Sequence, residues 1–532
     1  MVKCGACCTP ATARDAESIT FEQPDKNARN TALIHMESAV LDRLFKRLFT
    51  HRPCTACTRH ALRPTAPRVA PIQTRSVHRR IERSKTESSW QQRTDYMAED
   101  KLEEYKKVPM VTSDQLRNRR ERPRRVKMLM RDFIEDSLYN PWYGYFSKQA
   151  VIFSPGDPFD FRTLPDEASF HRELGRRYTE FEDALDEKEY DETRQLWHTP
   201  TELFRPYYGE AIARYLVSNY KLQLYPYHDL LIYEMGAGNG TLMLNILDYI
   251  RATDPDVYAR TQFRVIEVSS NLASLQAQQL QRTASAKGHA DKVTIINKSI
   301  FDWDTYLPTP CFFLALEVWD NFAHDLIRYD AAGQKPMQAH VLIDSQGEFF
   351  EFDSPALDPV AARFLRVRDK ACSRPDHPYL HPMQHQKLTR RMKQMLPFQY
   401  NLQAAAYIPT RLMQFFDVLR EYFPNHRLVA SDFHALPDAV EGWCGPVVQT
   451  RYKRRMVPVS TPLVHQGYFD ILFPTDFGVM EDVYRSLTGK LTRVSTHEDF
   501  FRRWAFVEDT RTRNGENPLL SWYGNASVMI TV

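Results

Sequence analysis

No stretch of this 532-residue chain approaches the ~20 consecutive apolar residues that a membrane-spanning helix needs, so it offers no candidate helical span. No internal repeat is visible, and no set of cysteines or histidines has convincing metal-ligand spacing. Cys4, Cys7 and Cys8 form one Cys-x-x-Cys group and Cys54 and Cys57 another. The gap between them is too wide, and its composition too unstructured, for a compact tetrahedral zinc site. Cys311, Cys372 and Cys444 are scattered and read as buried free thiols; the three histidines within 377–385 read as surface loop. What is present suits a folded enzyme-sized body: 43% apolar and 12% aromatic residues, with a net charge of only +3. The length allows about three average domains or one large α/β domain with insertions.

Acidic residues are missing from 43 to 81, where Arg, His, Ser and Thr recur. Just before and into this region, residues 40–49 form a basic amphipathic pattern with Val40, Leu41, Leu44, Phe45, Leu48 and Phe49 on one side. That combination is the signature of a mitochondrial presequence, with Met36 as an alternative start. Residues 1–80 are therefore expected to be an N-terminal extension and presequence that addresses the protein to the matrix. Residues 81–125, ending in the basic run 117–125, are expected to be a disordered linker.

The central signal is Glu234-Met235-Gly236-Ala237-Gly238-Asn239-Gly240-Thr241, which follows the apolar run 230–233 and precedes a largely apolar helical pattern. Strand, glycine turn and helix make one βα unit whose turn lets a ligand approach backbone. A dinucleotide fingerprint would carry its third glycine where Thr241 stands, and a P-loop would end in lysine; this turn has neither. A second apolar run, 263–266, ends in Glu267, placed to accept hydrogen bonds from ribose hydroxyls at a strand tip. The glycine pattern resembles motif I of class I S-adenosylmethionine (SAM) methyltransferases. That resemblance implies a Rossmann-like α/β fold with a mostly parallel seven-stranded sheet, SAM as cofactor, and Glu234, Gly236, Gly238, Gly240 and Glu267 around it.

Further blocks resemble the MidA family of mitochondrial methyltransferases, which assist respiratory complex I assembly. Ile266-Glu267-Val268-Ser269-Ser270-Asn271-Leu272 with Gln276 is similar to that family's "E-x-S-x-x-L-x-x-x-Q". Residues 133–146, 199–210, 317–322, 467–477 and 496–501 resemble other family blocks in the same order. Departures are Ala237 for a usual proline and Leu316 for an asparagine. The resemblance implies symmetric dimethylation of arginine on a complex I subunit, a protein substrate rather than a nucleic acid. A non-catalytic assembly factor keeping the fold, or a methyltransferase on another substrate, are the alternatives.

The methyltransferase domain is expected over 126–532, with insertions near 147–196 and 328–407. The first reads as a charged surface helix or arm, the second as an irregular substrate lobe. Residues 126–138 read as a helix. Thr199-Pro200-Thr201-Glu202 reads as a reciprocal capping box at the start of one helix through 216. Strands are expected at 293–296, 311–316, 427–431 and 468–473, and a helix at 412–423. Asp302 follows the third strand, where class I methyltransferases hold adenine. Glu317 and Asp320 follow the fourth; their spacing would put both on one helical-turn face, able to clamp a guanidinium.

Overall fold

Continuous apolar runs become strands covered on both faces, as a parallel sheet requires. The computed structural model describes residues 101–148, 150–267, 271–329, 335–373 and 404–532. Its main sheet contains β1 (Leu230–Met235), β2 (Thr261–Glu267), β3 (Val293–Asn297), β4 (Cys311–Leu316), β5 (His426–Phe433), β6 (Thr492–Thr496) and β7 (Ala526–Thr531). The strand order is 3-2-1-4-5-7-6. Strands β1 to β5 run parallel, and β7 is antiparallel to both its neighbours. The direction in which successive strands are added reverses between the parallel β1 and β4, so their carboxyl ends frame the crevice where open α/β sheets bind ligands.

Helices cover both faces. Tyr207–Gln223, Thr241–Thr253 and His497–Trp504 pack on one, burying Leu216, Ile246 and Phe500 against Ile232 and Phe312. Thr410–Tyr422, Pro359–Cys372 and Phe477–Thr488 pack on the other, around Phe313, Phe416 and Tyr484. Among the described residues no helix is long and apolar enough to cross a membrane.

The expected insertion lobe is more regular than its sequence. Strands Asp325–Tyr329, Pro336–Ile343, Phe349–Ser354 and Ala404–Ile408 join Val126–Leu129 in a five-stranded antiparallel sheet. Residues 126–129 are thus a strand, and the helix begins only at Met130–Tyr139. Val126 and Met128 alternate into the core beneath Val341 and Ile343, a period-two pattern hidden by the apolar residues that follow.

The basic segment is also structured from Lys101 onward, against the expectation of a disordered linker. It carries helices Leu102–Lys107 and Ser113–Leu116. Several of its charges are held against the folded body. Lys101 pairs with Asp344 at 2.7 Å, the Arg122 guanidinium lies over the Tyr468 ring at 4.7 Å, and Arg120 lies over Trp142 at 4.4 Å. The presequence pattern, the two Cys-x-x-Cys groups and the histidines of 377–385 lie outside the described residues. Of the remaining cysteines, Cys311 is buried, and Cys372 and Cys444 are half-buried.

The segment 147–196 contains the expected long helix, Glu167–Asp186, but it is not a solvated arm. Short strands Ala150–Ile152 and Gln195–Trp197 pair in parallel and close the segment into a loop. Phe153, Phe159, Phe161 and Phe170 are buried in the core shared with the main sheet. The Arg451 guanidinium reaches the Glu182 carboxylate, with Nη2 and Oε2 2.7 Å apart. The charged composition concealed an aromatic anchor.

Candidate functional site

Strand β1 ends at the glycine turn. Gly236, Gly238 and Gly240 have φ of 72°, 52° and 77°, a region that side chains rarely adopt. Gly240 is the N-cap of Thr241–Thr253 and supplies no side-chain cap, leaving helix-terminal N–H groups at the crevice. A Cβ at Gly238 would lie 2.7 Å from Ile152 Cδ1, so the 147–196 segment forms a wall of the turn.

The neighbouring strand end fixes the turn. The Glu267 carboxylate accepts hydrogen bonds from the Ala237 and Gly238 N–H groups, and Gly236 N–H donates to the Ile266 carbonyl at 3.2 Å. Glu267 Oε1 and Glu234 Oε2 are nevertheless buried with no protein partner. Burial pushes the Glu267 carboxyl up to about 7 despite those two backbone donors. Burial, then the proximity of Glu267, pushes Glu234 up to about 8. Two unsatisfied acceptors therefore stand on adjacent strand ends, a costly arrangement unless a ligand brings donors.

A second group of carboxylates lies beyond β4. The segment after Leu316 is a bend rather than the expected helical turn, and Glu317 has φ of 52°, a strained value for a non-glycine residue. Its N–H donates to the Ser431 carbonyl at 2.8 Å, tying the bend to β5. Asp432, at the end of β5, holds the next part of the bend: its Oδ2 accepts from Trp319 N–H at 2.8 Å and Asp320 N–H at 3.3 Å. Burial, then Asp432, pushes the Glu317 carboxyl well above the usual carboxylate range. Asp320 is pushed the same way by burial and by Asp432, Asp470 and Glu317, and its Oδ1 has no partner. Asp432 and Asp470 are both raised to about 7, mainly by burial.

The expected pair is therefore part of a four-carboxylate group. Asp432 was invisible as a site residue because it ends a strand that reads as ordinary core, and Asp470 lies some 150 residues from Asp320. Tyr208 and Tyr523 are buried within electrostatic reach of Glu317, and the Tyr523 hydroxyl has no partner. His497 lies tilted against Phe501 with centroids 4.4 Å apart, and burial takes its imidazole down to about 3. The sequence marked 496–501 as a block resembling the family, without assigning His497 a role. Asp302 sits in a short turn of helix, Ile300–Asp302, after β3, with its carboxylate 2.9 Å from Arg117 Nη1.

Residues 211–495 match the model of a protein family described as "Putative S-adenosyl-L-methionine-dependent methyltransferase". The chain belongs to this family. It is also similar to a Schizosaccharomyces pombe protein named protein arginine methyltransferase NDUFAF7 homolog, mitochondrial: 24% identity, covering 71% of this chain and 80% of that one. A Saccharomyces cerevisiae protein of the same name is 20% identical over 61% of this chain and 78% of its own. Among solved structures, a superfamily member from Burkholderia thailandensis, bound to S-adenosyl-homocysteine, is 15% identical with a TM-score of 0.46, covering 76% of this chain and 88% of that one.

The protein is thus a SAM-dependent methyltransferase of the expected α/β class, and the residues at the glycine turn fit the cofactor chemically. Unpartnered carboxylate oxygens on Glu234 and Glu267 suit hydroxyl and ammonium donors, and the glycine positions of the turn admit a ligand against backbone. Gly238→Val is expected to abolish SAM binding, because it places a branched side chain at positive φ, costing about 1–2 kcal/mol, and fills the approach. Ile152 Cδ1 is the end of a flexible side chain and can yield, so the domain should still fold. Calorimetry showing parent-like SAM affinity would move the cofactor elsewhere.

Proposed function

We propose that this methyltransferase modifies arginine on a respiratory complex I subunit, to the symmetric dimethyl form, in the mitochondrial matrix, and so supports assembly of the complex. The observation that carries the reading is the carboxylate of Glu317, set by a strained bend at the carboxyl edge of β4 beside the cofactor turn. The names of the two yeast relatives support arginine as acceptor and mitochondria as compartment, and the MidA resemblance supports complex I as target. Residues 1–80 are the presequence in this reading, and Asp302 contacts the adenine.

SAM supplies a methyl group already activated for in-line transfer, so the protein's task is mainly positioning. Glu317 holds the guanidinium and orients one nitrogen toward the methyl. The S–C bond breaks with its electron pair left on sulfur as the N–C bond forms. The nitrogen must then lose a proton, and a carboxylate with an elevated proton affinity is a suited acceptor. Asp320 and Asp432 support Glu317: one adds negative charge, the other fixes the bend through two N–H groups.

The test is genetic and chemical. Complex I is isolated from cells lacking the gene, rescued with the parent, Glu317→Gln or Gly238→Val, and its arginine methylation is measured by mass spectrometry. The parent alone should restore methylarginine. Rescue of assembly by all three with no methylarginine detected would replace catalysis with a binding role.

A further inference from the structure

Glu202 was expected to cap its own helix, and only half of that box forms. Thr199 Oγ1 accepts from Glu202 N–H at 3.3 Å, as a cap should. The Glu202 side chain turns the other way. Its Oε1 accepts from the Thr241 hydroxyl at 2.6 Å and from Asn239 Nδ2 at 3.1 Å, and its Oε2 lies 3.3 Å from Arg205 Nη1. Glu202 is 2% exposed, so these three donors compensate most of the carboxylate's lost hydration.

The residues it holds are special. Asn239 and Thr241 flank Gly240 in the cofactor turn, and they are the polar side chains of a loop otherwise made of glycine and alanine. Such a loop is costly to hold in one conformation, because glycine loses the most backbone freedom on ordering. Glu202 has given its acceptors to that loop instead of to the helix cap. Arg205 extends the contact: its Nη2 donates to the Gly156 carbonyl, just beyond the strand whose Ile152 lies over Gly238.

We propose that Glu202 is a positioning residue for the cofactor. It holds the Gly238–Thr241 part of the turn in its binding conformation and, with Arg205, couples that turn to the 147–196 segment covering it. This depends on the protein's use of SAM and not on the identity of the methyl acceptor.

The test uses the full folded chain and S-adenosyl-homocysteine as calorimetric probe, with thermal unfolding alongside. Glu202→Ala is expected to weaken binding by about 30-fold, the worth of one to two charge-assisted hydrogen bonds. Glu202→Gln keeps an acceptor oxygen for Thr241 and should retain most of the affinity, a rescue that a purely structural role in the helix start would not require. Thr241→Val should weaken binding several-fold, and Glu202→Ala should cost much less in that background than in the parent. Parent-like affinity in folded Glu202→Ala, or effects of the two substitutions that simply multiply, would overturn the proposal. Should Glu202→Ala not fold, Thr241→Val decides: unchanged affinity in that variant overturns it equally.

Discussion

Glu317→Gln is expected to lower arginine methylation by roughly a hundredfold or more while leaving SAM affinity within about twofold of the parent. The two sites are separable because the unpartnered acceptors proposed for the cofactor, on Glu234 and Glu267, lie at the ends of β1 and β2, whereas Glu317 follows β4. Glutamine keeps the shape but cannot balance a guanidinium or take up its proton. The same substitution should raise thermal stability at pH 8, since it removes a carboxyl that burial and Asp432 make costly to ionise. A variant more stable yet inactive is the signature of strain held for function. Asp432→Asn should behave differently. Its Oδ2 anchors Trp319 and Asp320 N–H groups, so weakening it should loosen the bend and lower stability and rate together. The measurements are methyl transfer to complex I subunits from a deletion strain, calorimetric SAM affinity, and melting at pH 6 and 8. Full turnover by Glu317→Gln would remove Glu317 from the chemistry.

The central parallel strands were readable because they are buried on both faces, so β1 and β4 appear as apolar runs with nearly correct ends. The glycine turn was readable for a related reason: few residue types tolerate its φ values. The antiparallel lobe was not. Phe349–Ser354 alternates apolar with Glu351 and Asp353, and Pro336–Ile343 carries Gln338 and His340, half-buried signals that a single sequence blurs into loop. The acidic group was half legible. Glu317 and Asp320 follow a clear strand, but Asp432 and Asp470 reach them only through the strand order and the lobe. Glu202 was seen as a capping residue because Thr-Pro-x-Glu encodes that local geometry. Its partners, nearly forty residues away, are a property of the tertiary fold.

SAM affinity should rise with pH between about 6 and 8, and binding should release protons. In the ligand-free protein burial holds Glu267 near 7 and Glu234 near 8, so each carries a proton for much of its time at neutrality. The cofactor brings hydroxyl and ammonium donors, for which the ionised carboxylate is the better acceptor, so binding draws the protons off. Each proton released changes affinity by up to about tenfold per pH unit below the group's pKa. Folding has the opposite sign. Both carboxyls lie above the ordinary glutamate value of 4.5, so the folded, ligand-free chain holds protons that an unfolded chain has already lost. Its stability should therefore fall as pH rises from about 4.5 toward 8, with Asp432 and Asp470 adding to the loss up to about 7. The stabilisation conferred by SAM should correspondingly be larger at pH 8 than at pH 6. Calorimetry in two buffers of different ionisation enthalpy reads the proton release directly, and Glu267→Gln should remove part of it. Affinity that stays flat from pH 6 to 8, with no buffer dependence, would mean that neither carboxylate meets the cofactor.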